Sequence, residues 1–183
     1  QYSDQCIGKG GLAKDSIAIM QKEFYSNGKL LLSGEYAILD GALGLAIPTK
    51  YGQSLKISSN SSKTLQWTSF NENNQVWFRG EFDLEHFAPL STSDQEVSKT
   101  LSGLLLQARI QNSDFLLNQQ GIQVETKLDF PRAWGLGTSS TLINNLAQWA
   151  QVDAYQLLWN AFGGSGYDIA CAQNDTPITY QLK

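Results

Sequence analysis

Cysteine, histidine and methionine are scarce in this sequence, which has two Cys, one His and one Met in 183 residues. So few Cys and His residues leave little room for a metal cage of Cys and His ligands or for a framework of disulfides. Long apolar runs are absent too, because none approaches the ~20 residues of a membrane span. The net charge of −4 argues against non-specific binding of nucleic acid, which needs clustered Lys and Arg.

Apolar and aromatic residues, in contrast, are plentiful enough to build a core. Hydrophobic residues make up 42% of the chain, and five Trp, seven Tyr and eight Phe are among its residues. A disordered chain lacks such content, so most of this one is expected to fold. Its length suits one domain, or one domain with a fragment of a second.

The single Met stands at position 20 and divides the sequence into two parts. Residues 1–19 show no sustained periodicity and no secretion signal, whereas residues 20–183 are strongly patterned. We interpret Met20 as the natural start and residues 1–19 as an added or upstream extension; an ordinary N-terminal arm is the alternative. Without the extension Cys171 is the only cysteine, which argues against a structural disulfide and favours a cytoplasmic location.

Alternation of polar and apolar residues predicts several strands. Three of them, joined by short polar turns, are expected to form a β-meander: 53–58, 64–70 and 75–82. Further strands are predicted at the start of 28–40, over 121–130 and over 178–182.

Helical spacing and capping residues predict three helices. Ser93 and Glu96 form a capping-box signature ahead of the first helix. The second covers 139–151, and Asp153 is predicted to cap the third over 154–162. Strands and helices do not alternate regularly, so the predicted fold class is α+β.

The most informative segment is PRAWGLGTSST at 131–141, which links a predicted strand to a predicted helix. Gly135 and Gly137 let the backbone approach a ligand closely and turn its N–H groups inward. The start of the helix adds free N–H donors and a partial positive charge. Together they predict an anion site suited to the phosphates of a nucleotide, with Ser or Thr hydroxyls available to Mg²⁺. A purely structural connection between strand and helix is the alternative.

Two further segments place charged residues beside glycine. Lys29 opens an apolar strand that ends in Gly34 and Glu35, and a carboxylate in such a run needs a partner. Asp168 follows the turn GGSG at 163–166 and precedes an apolar segment. A solvated lysine and an Asp that only caps a turn are the ordinary alternatives.

These three segments, in this order, resemble the motifs of the GHMP kinase superfamily, which includes galactokinase, homoserine kinase, mevalonate kinase and phosphomevalonate kinase. Its first motif has a Lys on the opening strand and then Gly-Glu-His or Gly-Glu-Tyr, matched by Lys29 and by GEY at 34–36. The second is Pro-x-x-x-Gly-Leu-Gly-Ser-Ser-Ala, matched by PRAWGLGTSS at 131–140 with Thr for the first Ser and Ser for the Ala. The third is Ser-Gly-x-Asp, matched by SGYD at 165–168.

The resemblance implies that residues 20–183 form the N-terminal ATP-binding domain of such a kinase, with a mixed β-sheet packed against helices. ATP would then phosphorylate a hydroxyl or a phosphate of a small-molecule acceptor. Asp168 would orient or deprotonate the acceptor, and Lys29 would steady the transferred group and keep Asp168 ionised.

The remaining site residues follow from the same resemblance. Those implied for ATP binding are Pro131, Gly135, Leu136, Gly137, Thr138, Ser139 and Ser140. Those implied on the acceptor side are Glu35, Tyr36, Ser165 and Gly166. Ser139 is also the implied ligand of Mg²⁺.

Two departures from the family pattern matter. Many members carry a Glu on the helix before the catalytic Asp as a second Mg²⁺ ligand, but here the only acidic residue between Thr141 and Gly166 is Asp153, the predicted helix cap. Metal binding would then depend on Ser139 and on phosphate oxygens. The third Gly-rich motif of the family lies in a C-terminal domain that this chain does not reach, so we expect the chain alone to be inactive.

Several alternatives stay open. GEY in the first motif and SGYD in the third are closest to the mevalonate-pathway branch, above all to phosphomevalonate kinases, but mevalonate, phosphomevalonate and a sugar or sugar phosphate are all candidate acceptors. A non-catalytic nucleotide or ligand sensor on the same fold is the main rival, although Lys29 and Asp168 favour catalysis. A third reading is an α+β interaction module with structural glycine loops. The oligomeric state is open, with a homodimer as one alternative.

Overall fold

The computed structural model describes residues 21–117 and 119–182, apart from the side chains of Glu35 and Tyr36. The predicted extension, 1–19, and the predicted start at Met20 lie outside the described residues. The strands are β1 Gln21–Ser33, β2 Gly44–Ser59, β3 Thr64–Phe70, β4 Val76–Asp83, β5 Pro89–Thr92, β6 Ile122–Leu128 and β7 Ile178–Tyr180. The helices are α1 Gln95–Gln111, α2 Thr138–Ala150, α3 Ala154–Ala161 and α4 Tyr167–Ala172, with short 3₁₀ helices at Glu35–Asp40 and Arg132–Trp134.

The strands form one mixed sheet in the order β1-β2-β6-β3-β4-β5, and β7 pairs with the beginning of β2. Strands β3 and β6 are parallel, and the other pairs are antiparallel. The α+β class and the mixed sheet packed against helices are therefore confirmed.

The predicted β-meander is wrong in one respect, because β6 lies between β2 and β3. Thr126 of β6 is paired with Leu55 of β2, and Val124 of β6 with Trp67 of β3. Of the three strands in the predicted meander, only β3 and β4 pair with each other, and they are antiparallel as expected. Alternation in a sequence determines which face a residue occupies, but the adjacent strand depends on packing and register across the whole sheet.

One face of the sheet packs against α1, α2 and α4, and α3 packs on α1 and α2 to complete the core. Alternate residues of the central strands point into it and are almost fully buried, among them Leu55, Ile57, Leu65, Trp67, Phe78, Phe82 and Val124. The predicted apolar face of α1 meets them through Leu101, Leu104, Leu105 and Ala108. Burial of each large side chain stabilises the fold by roughly 1.5–3 kcal/mol, so this layer dominates the stability of the chain.

The cap of α1 differs by one residue from the prediction. Asp94, not Ser93, accepts the N–H groups of Glu96 and Val97 at 3.0 and 3.1 Å. The Ser93 hydroxyl accepts the N–H of Arg79 at 2.9 Å and so ties the chain to β4. Both side chains can accept a backbone hydrogen bond. Because Ser93 accepts one from β4, Asp94 is the residue that caps α1.

The other helix predictions are close to the observed bounds. Asp153 caps α3 by accepting the N–H groups of Tyr155 and Gln156, as predicted. Among residues 21–117 and 119–182, no helix has both the length and the apolar character needed to cross a membrane.

Candidate active site

The glycine loop, residues 131–137, lies directly against β1. The N–H of Lys29 donates to the carbonyl of Leu136 at 2.9 Å. A Cβ atom on Gly28 would stand 2.8 Å from that carbonyl oxygen, 2.8 Å from Oγ1 of Thr49 and 2.9 Å from the carbonyl of Tyr51. Only glycine therefore lets the strand approach the loop this closely.

The loop turns at Gly135 and Gly137, whose φ angles of 69° and 88° are left-handed. A Cβ atom on Gly137 would also lie 2.6 Å from Oγ of Ser140. The turn ends where α2 begins, and no side chain caps the first turn of α2. Its N–H groups and the positive end of its dipole are thus available to an anion.

The hydroxyl cluster after the loop divides into two pairs. Ser140 is buried and donates to the carbonyl of Gly137 at 2.9 Å, and buried Thr141 donates to Oε1 of Gln53 at 2.8 Å. These two side chains hold the loop in place. Thr138 is half-buried and Ser139 is exposed, and both line a cavity of about 490 Å³.

Lys29 and Asp168, which are far apart in the sequence, meet beside the loop. Lys29 Nζ is 3.4 Å from Oδ1 of Asp168, and it donates to the hydroxyl of Tyr167 at 2.8 Å. The two charged side chains are 20% and 33% exposed, so solvent screens the pair only in part. Asp168 is the second residue of α4, and this helix begins directly after Gly166, which has a left-handed backbone conformation.

The surroundings of the pair shift the pKa of several groups. Burial acts to lower the pKa of Lys29, but the hydrogen bond to Tyr167 and the charge of Asp168 outweigh it and raise that pKa. Burial raises the pKa of Tyr167. Burial, with the nearby charge of Asp168, raises the pKa of the Cys171 thiol to about 11. At neutral pH Lys29 is therefore charged, and Tyr167 and Cys171 keep their protons.

The turn before Asp168 is held from two sides. Trp159 Nε1 of α3 donates to the carbonyl of Gly164 at 3.1 Å, and the hydroxyl of Tyr180 in β7 donates to the carbonyl of Ser165. A Cβ atom on Gly166 would lie 3.0 Å from the Tyr180 hydroxyl oxygen. Gly166 thus permits close packing, whereas Ser165 also lines the cavity that contains Asp168.

Two cavities border the glycine loop. The ion-pair cavity, of about 520 Å³, holds the charged pair and is lined by Lys29, Leu30, Leu31, Ile38, Leu39, Trp134, Gly135, Leu136, Gly164, Ser165, Tyr167 and Asp168. The aromatic cavity is the one lined by Thr138 and Ser139, together with Trp67, Trp77 and Phe78 of the sheet. The loop with the start of α2 therefore connects an aromatic wall to an ion pair.

The predicted site residues take different positions around these cavities. Four of the predicted ATP ligands line them: Gly135, Leu136, Thr138 and Ser139. Three others shape the loop instead: Pro131, Gly137 and Ser140. Glu35 and Tyr36 begin a 3₁₀ helix whose later residues line the ion-pair cavity, and the side chains of Glu35 and Tyr36 lie outside the described part of the chain.

Sequence reasoning missed the aromatic wall and Tyr167. Trp67, Trp77 and Phe78 come from strands with ordinary alternation, and nothing in their spacing indicates a ligand site. The guanidinium of Arg132 lies 3.9 Å from the ring centre of Trp77, a stacking arrangement of residues remote in sequence. Tyr167 occupies the variable position of the Ser-Gly-x-Asp motif.

The described residues offer little for a metal ion by themselves. Among residues 21–117 and 119–182, no three His, Cys, Asp or Glu side chains cluster closely enough to hold one. Asp153 is engaged as the cap of α3. The exposed hydroxyl of Ser139 fits a Mg²⁺ ion whose other ligands are phosphate oxygens and water, which is the usual way in which this ion binds with nucleotides.

Replacement of Asp168 by Asn should lower the pKa of Lys29, because burial then acts without the opposing charge. The raised pKa belongs to the folded state, so the pair contributes stability that is complete below the ordinary pKa of 10.5 and is lost as pH rises through the folded value. A ¹³C NMR titration of the Lys29 side chain measures the shift. Asp175→Asn, at an exposed Asp just after α4, is the control and should leave it unchanged. An unchanged Lys29 in Asp168→Asn would contradict the ion pair.

No protein-family model matches the sequence, and no curated protein matches it. Solved structures do match. The mevalonate kinase of Methanococcus jannaschii is 13% identical with a TM-score of 0.65, and the match covers 89% of this chain and 54% of that one. The phosphomevalonate kinase of Streptococcus pneumoniae, in complex with phosphomevalonate and AMPPNP, is 18% identical with a TM-score of 0.60, covering 88% and 50%.

The galactokinase of Lactococcus lactis, complexed with galactose, is 19% identical with a TM-score of 0.54, and the match covers 85% of this chain and 39% of that one. This chain thus spans about half the length of the solved structures it matches. At such identities the likeness concerns the fold. The chain has the α+β fold of the parts of these kinases that it matches.

Proposed function

We propose that this chain carries the nucleotide-binding and catalytic part of an ATP-dependent small-molecule kinase. The observation that carries the proposal is the ion pair of Lys29 and Asp168 at 3.4 Å, in the cavity that adjoins the glycine loop. Phosphoryl transfer needs positioned reactants and balanced charge more than covalent help from the protein. The glycine loop would position the phosphates, and the charges of Lys29 and Asp168 would balance the charge that develops during transfer.

The aromatic cavity is the proposed site of the nucleotide base. The half-buried ring of Trp77 offers a face on which a base can stack, and the buried rings of Trp67 and Phe78 lie at the base of the cavity. From there the phosphates reach Thr138 and Ser139, where the uncapped start of α2 favours anions. Mg²⁺, when bound, would neutralise phosphate charge, with Ser139 as its ligand from the described part of the chain.

Asp168 is the proposed acceptor of the proton from the attacking hydroxyl. As that oxygen bonds to the γ-phosphorus, the bond from phosphorus to the bridging oxygen breaks and ADP leaves, while the proton passes to the carboxylate. Lys29 offsets charge that develops on the transferred group. Its raised pKa keeps this side chain cationic through the neutral range.

The lining of the ion-pair cavity favours an alcohol over a phosphorylated acceptor. Leu30, Leu39 and Trp134 form apolar walls, and Lys29 is the one cation in the described lining, already paired with Asp168. A second phosphate would bring a charge of about −1.5 to −2 into this cavity at neutral pH. Of the candidates from the mevalonate branch, mevalonate therefore fits better than phosphomevalonate.

A nucleotide sensor without catalysis is the second candidate. The observation that favours it is that the described residues hold no acidic cluster to complete the coordination of Mg²⁺. Such a sensor would bind the nucleotide and leave the acceptor unchanged.

Binding of ATP tests both candidates together. The chain should bind ATP with Mg²⁺ in isothermal titration calorimetry. Ser139→Ala should weaken that binding by about tenfold, since loss of one ligand contact costs about 1–3 kcal/mol. Titration without Mg²⁺ is the control, because there the variant and the wild type should bind ATP alike. A wild-type chain that fails to bind ATP would rule out the kinase and the sensor.

Turnover separates the two candidates. In the full-length gene product, ADP release should be fastest with mevalonate among mevalonate, phosphomevalonate and galactose. Asp168→Asn should reduce it by roughly 10²–10⁴-fold, the usual contribution of a general base. The same variant should bind ATP normally, and Asp175→Asn should behave as wild type. Full activity of Asp168→Asn would refute the role of Asp168, and absence of turnover with every acceptor would favour the sensor.

A further inference from the structure

A network of buried, hydrogen-bonded polar side chains lies beneath the candidate site. Ser26 of β1, Gln53 of β2, and Asn144 and Asn145 of α2 are each at most 2% exposed. A buried amide or hydroxyl is costly unless it is hydrogen-bonded, and each of these four is. None of the four lines the ion-pair cavity, whereas Gln53 also lines the aromatic cavity.

One end of this network contacts α4, the helix that carries Asp168. Asn144 Nδ2 donates to the hydroxyl of Ser26 at 2.8 Å and to the carbonyl of Ala172 at 3.4 Å. Gln173 Nε2 donates to Oδ1 of Asn144 at 3.1 Å. Asn144 therefore joins the end of α4 both to α2 and to β1.

The other end reaches the glycine loop. The hydroxyl of Ser26 donates to Oδ1 of Asn145 at 2.8 Å, and Asn145 Nδ2 donates to the carbonyl of Gln53 at 2.8 Å. The side chain of Gln53 accepts from Thr141, whose N–H donates to the carbonyl of Gly137 at 3.0 Å. Ser26 is the junction, because its hydroxyl accepts from one Asn and donates to the other.

Apolar residues at these positions would fill the same space, so packing alone does not explain two buried amides. Ile143 and Leu146 on the same helix supply the apolar contacts to the core. Hydrogen bonds are directional, and a fully satisfied network holds its elements in one arrangement. Here the elements are the strand of Lys29, the helix of Asp168 and the helix after the glycine loop.

We infer that Ser26 and Asn144 are positioning residues, which hold α4 against β1 and so set the separation of Lys29 and Asp168. The inference rests on the proposed function only in that it regards this ion pair as catalytic. Loss of either side chain would leave buried polar groups without partners. The end of α4 would then detach more often than the rest of the molecule unfolds.

The thiol of Cys171 reports this opening. Cys171 lies in α4 and is fully buried, so a thiol reagent reaches it only when the helix moves. In a Cys6→Ser background it is the only thiol of the chain. Ser26→Ala removes a single oxygen atom, and Asn144→Ala removes the amide. Each should raise the rate at which Cys171 is labelled by about tenfold, the effect expected when buried polar groups lose a partner.

Asn112→Ala is the matched control. Asn112 Nδ2 donates to the carbonyl of Ala150 at 2.7 Å, at the end of α2 away from the glycine loop, so its loss weakens the fold without touching α4. The free energy of unfolding in urea, measured for every variant, gives the labelling expected from global unfolding alone. Labelling of Ser26→Ala or Asn144→Ala above that level, with Asn112→Ala at that level, supports the inference.

Labelling of Ser26→Ala and Asn144→Ala no faster than global unfolding allows would overturn it. If Asn144→Ala does not fold, the labelling rate of Cys171 in Ser26→Ala decides the outcome, because this smaller change breaks the same junction. The readout is independent of ATP and of any acceptor. A failure of the kinase proposal would appear in the binding and turnover assays and leave the labelling result unaffected.

Discussion

The hydrogen bond between the N–H of Lys29 and the carbonyl of Leu136 is the contact on which the candidate site depends. It brings the first strand against the glycine loop, and it requires a residue without a side chain at Gly28. Once the strand is there, the Lys29 side chain extends past the loop to Asp168. This backbone contact therefore brings the uncapped start of α2 and the pair of Lys29 and Asp168 into one small region.

Partial burial and neighbouring groups act in opposite directions on the pKa of Lys29. Lys29 has the carboxylate of Asp168 and the hydroxyl of Tyr167 as neighbours, and these raise its pKa against the effect of burial. In the proposed reaction the cation would serve two anions in turn, the carboxylate before phosphoryl transfer and the phosphoryl group during it. We infer that the buried amides beneath hold both elements and so keep this partly exposed ion pair at a defined separation.

The sequence was sufficient to name those residues of the candidate site whose conformation or motif is local. Gly137 needs a left-handed backbone, and Lys29 and Asp168 stand in recognisable motifs, so these could be named before the structure was known. The position of β6 and the aromatic wall of Trp77 could not, because alternation indicates faces and not neighbours. The hydrogen bonds of Asn144 could not be predicted either, because the sequence around an Asn in a helix does not indicate which residue it contacts.

The central claim is that the glycine loop holds nucleotide phosphates between the aromatic cavity and the ion pair. A crystal structure of the chain with Mg²⁺ and a non-hydrolysable ATP analogue tests it most directly. The account predicts the base against Trp77, the phosphates at the first turn of α2 beside Ser139, and the terminal phosphate facing Lys29 and Asp168. An analogue bound elsewhere, or with its terminal phosphate turned away from Asp168, would contradict it.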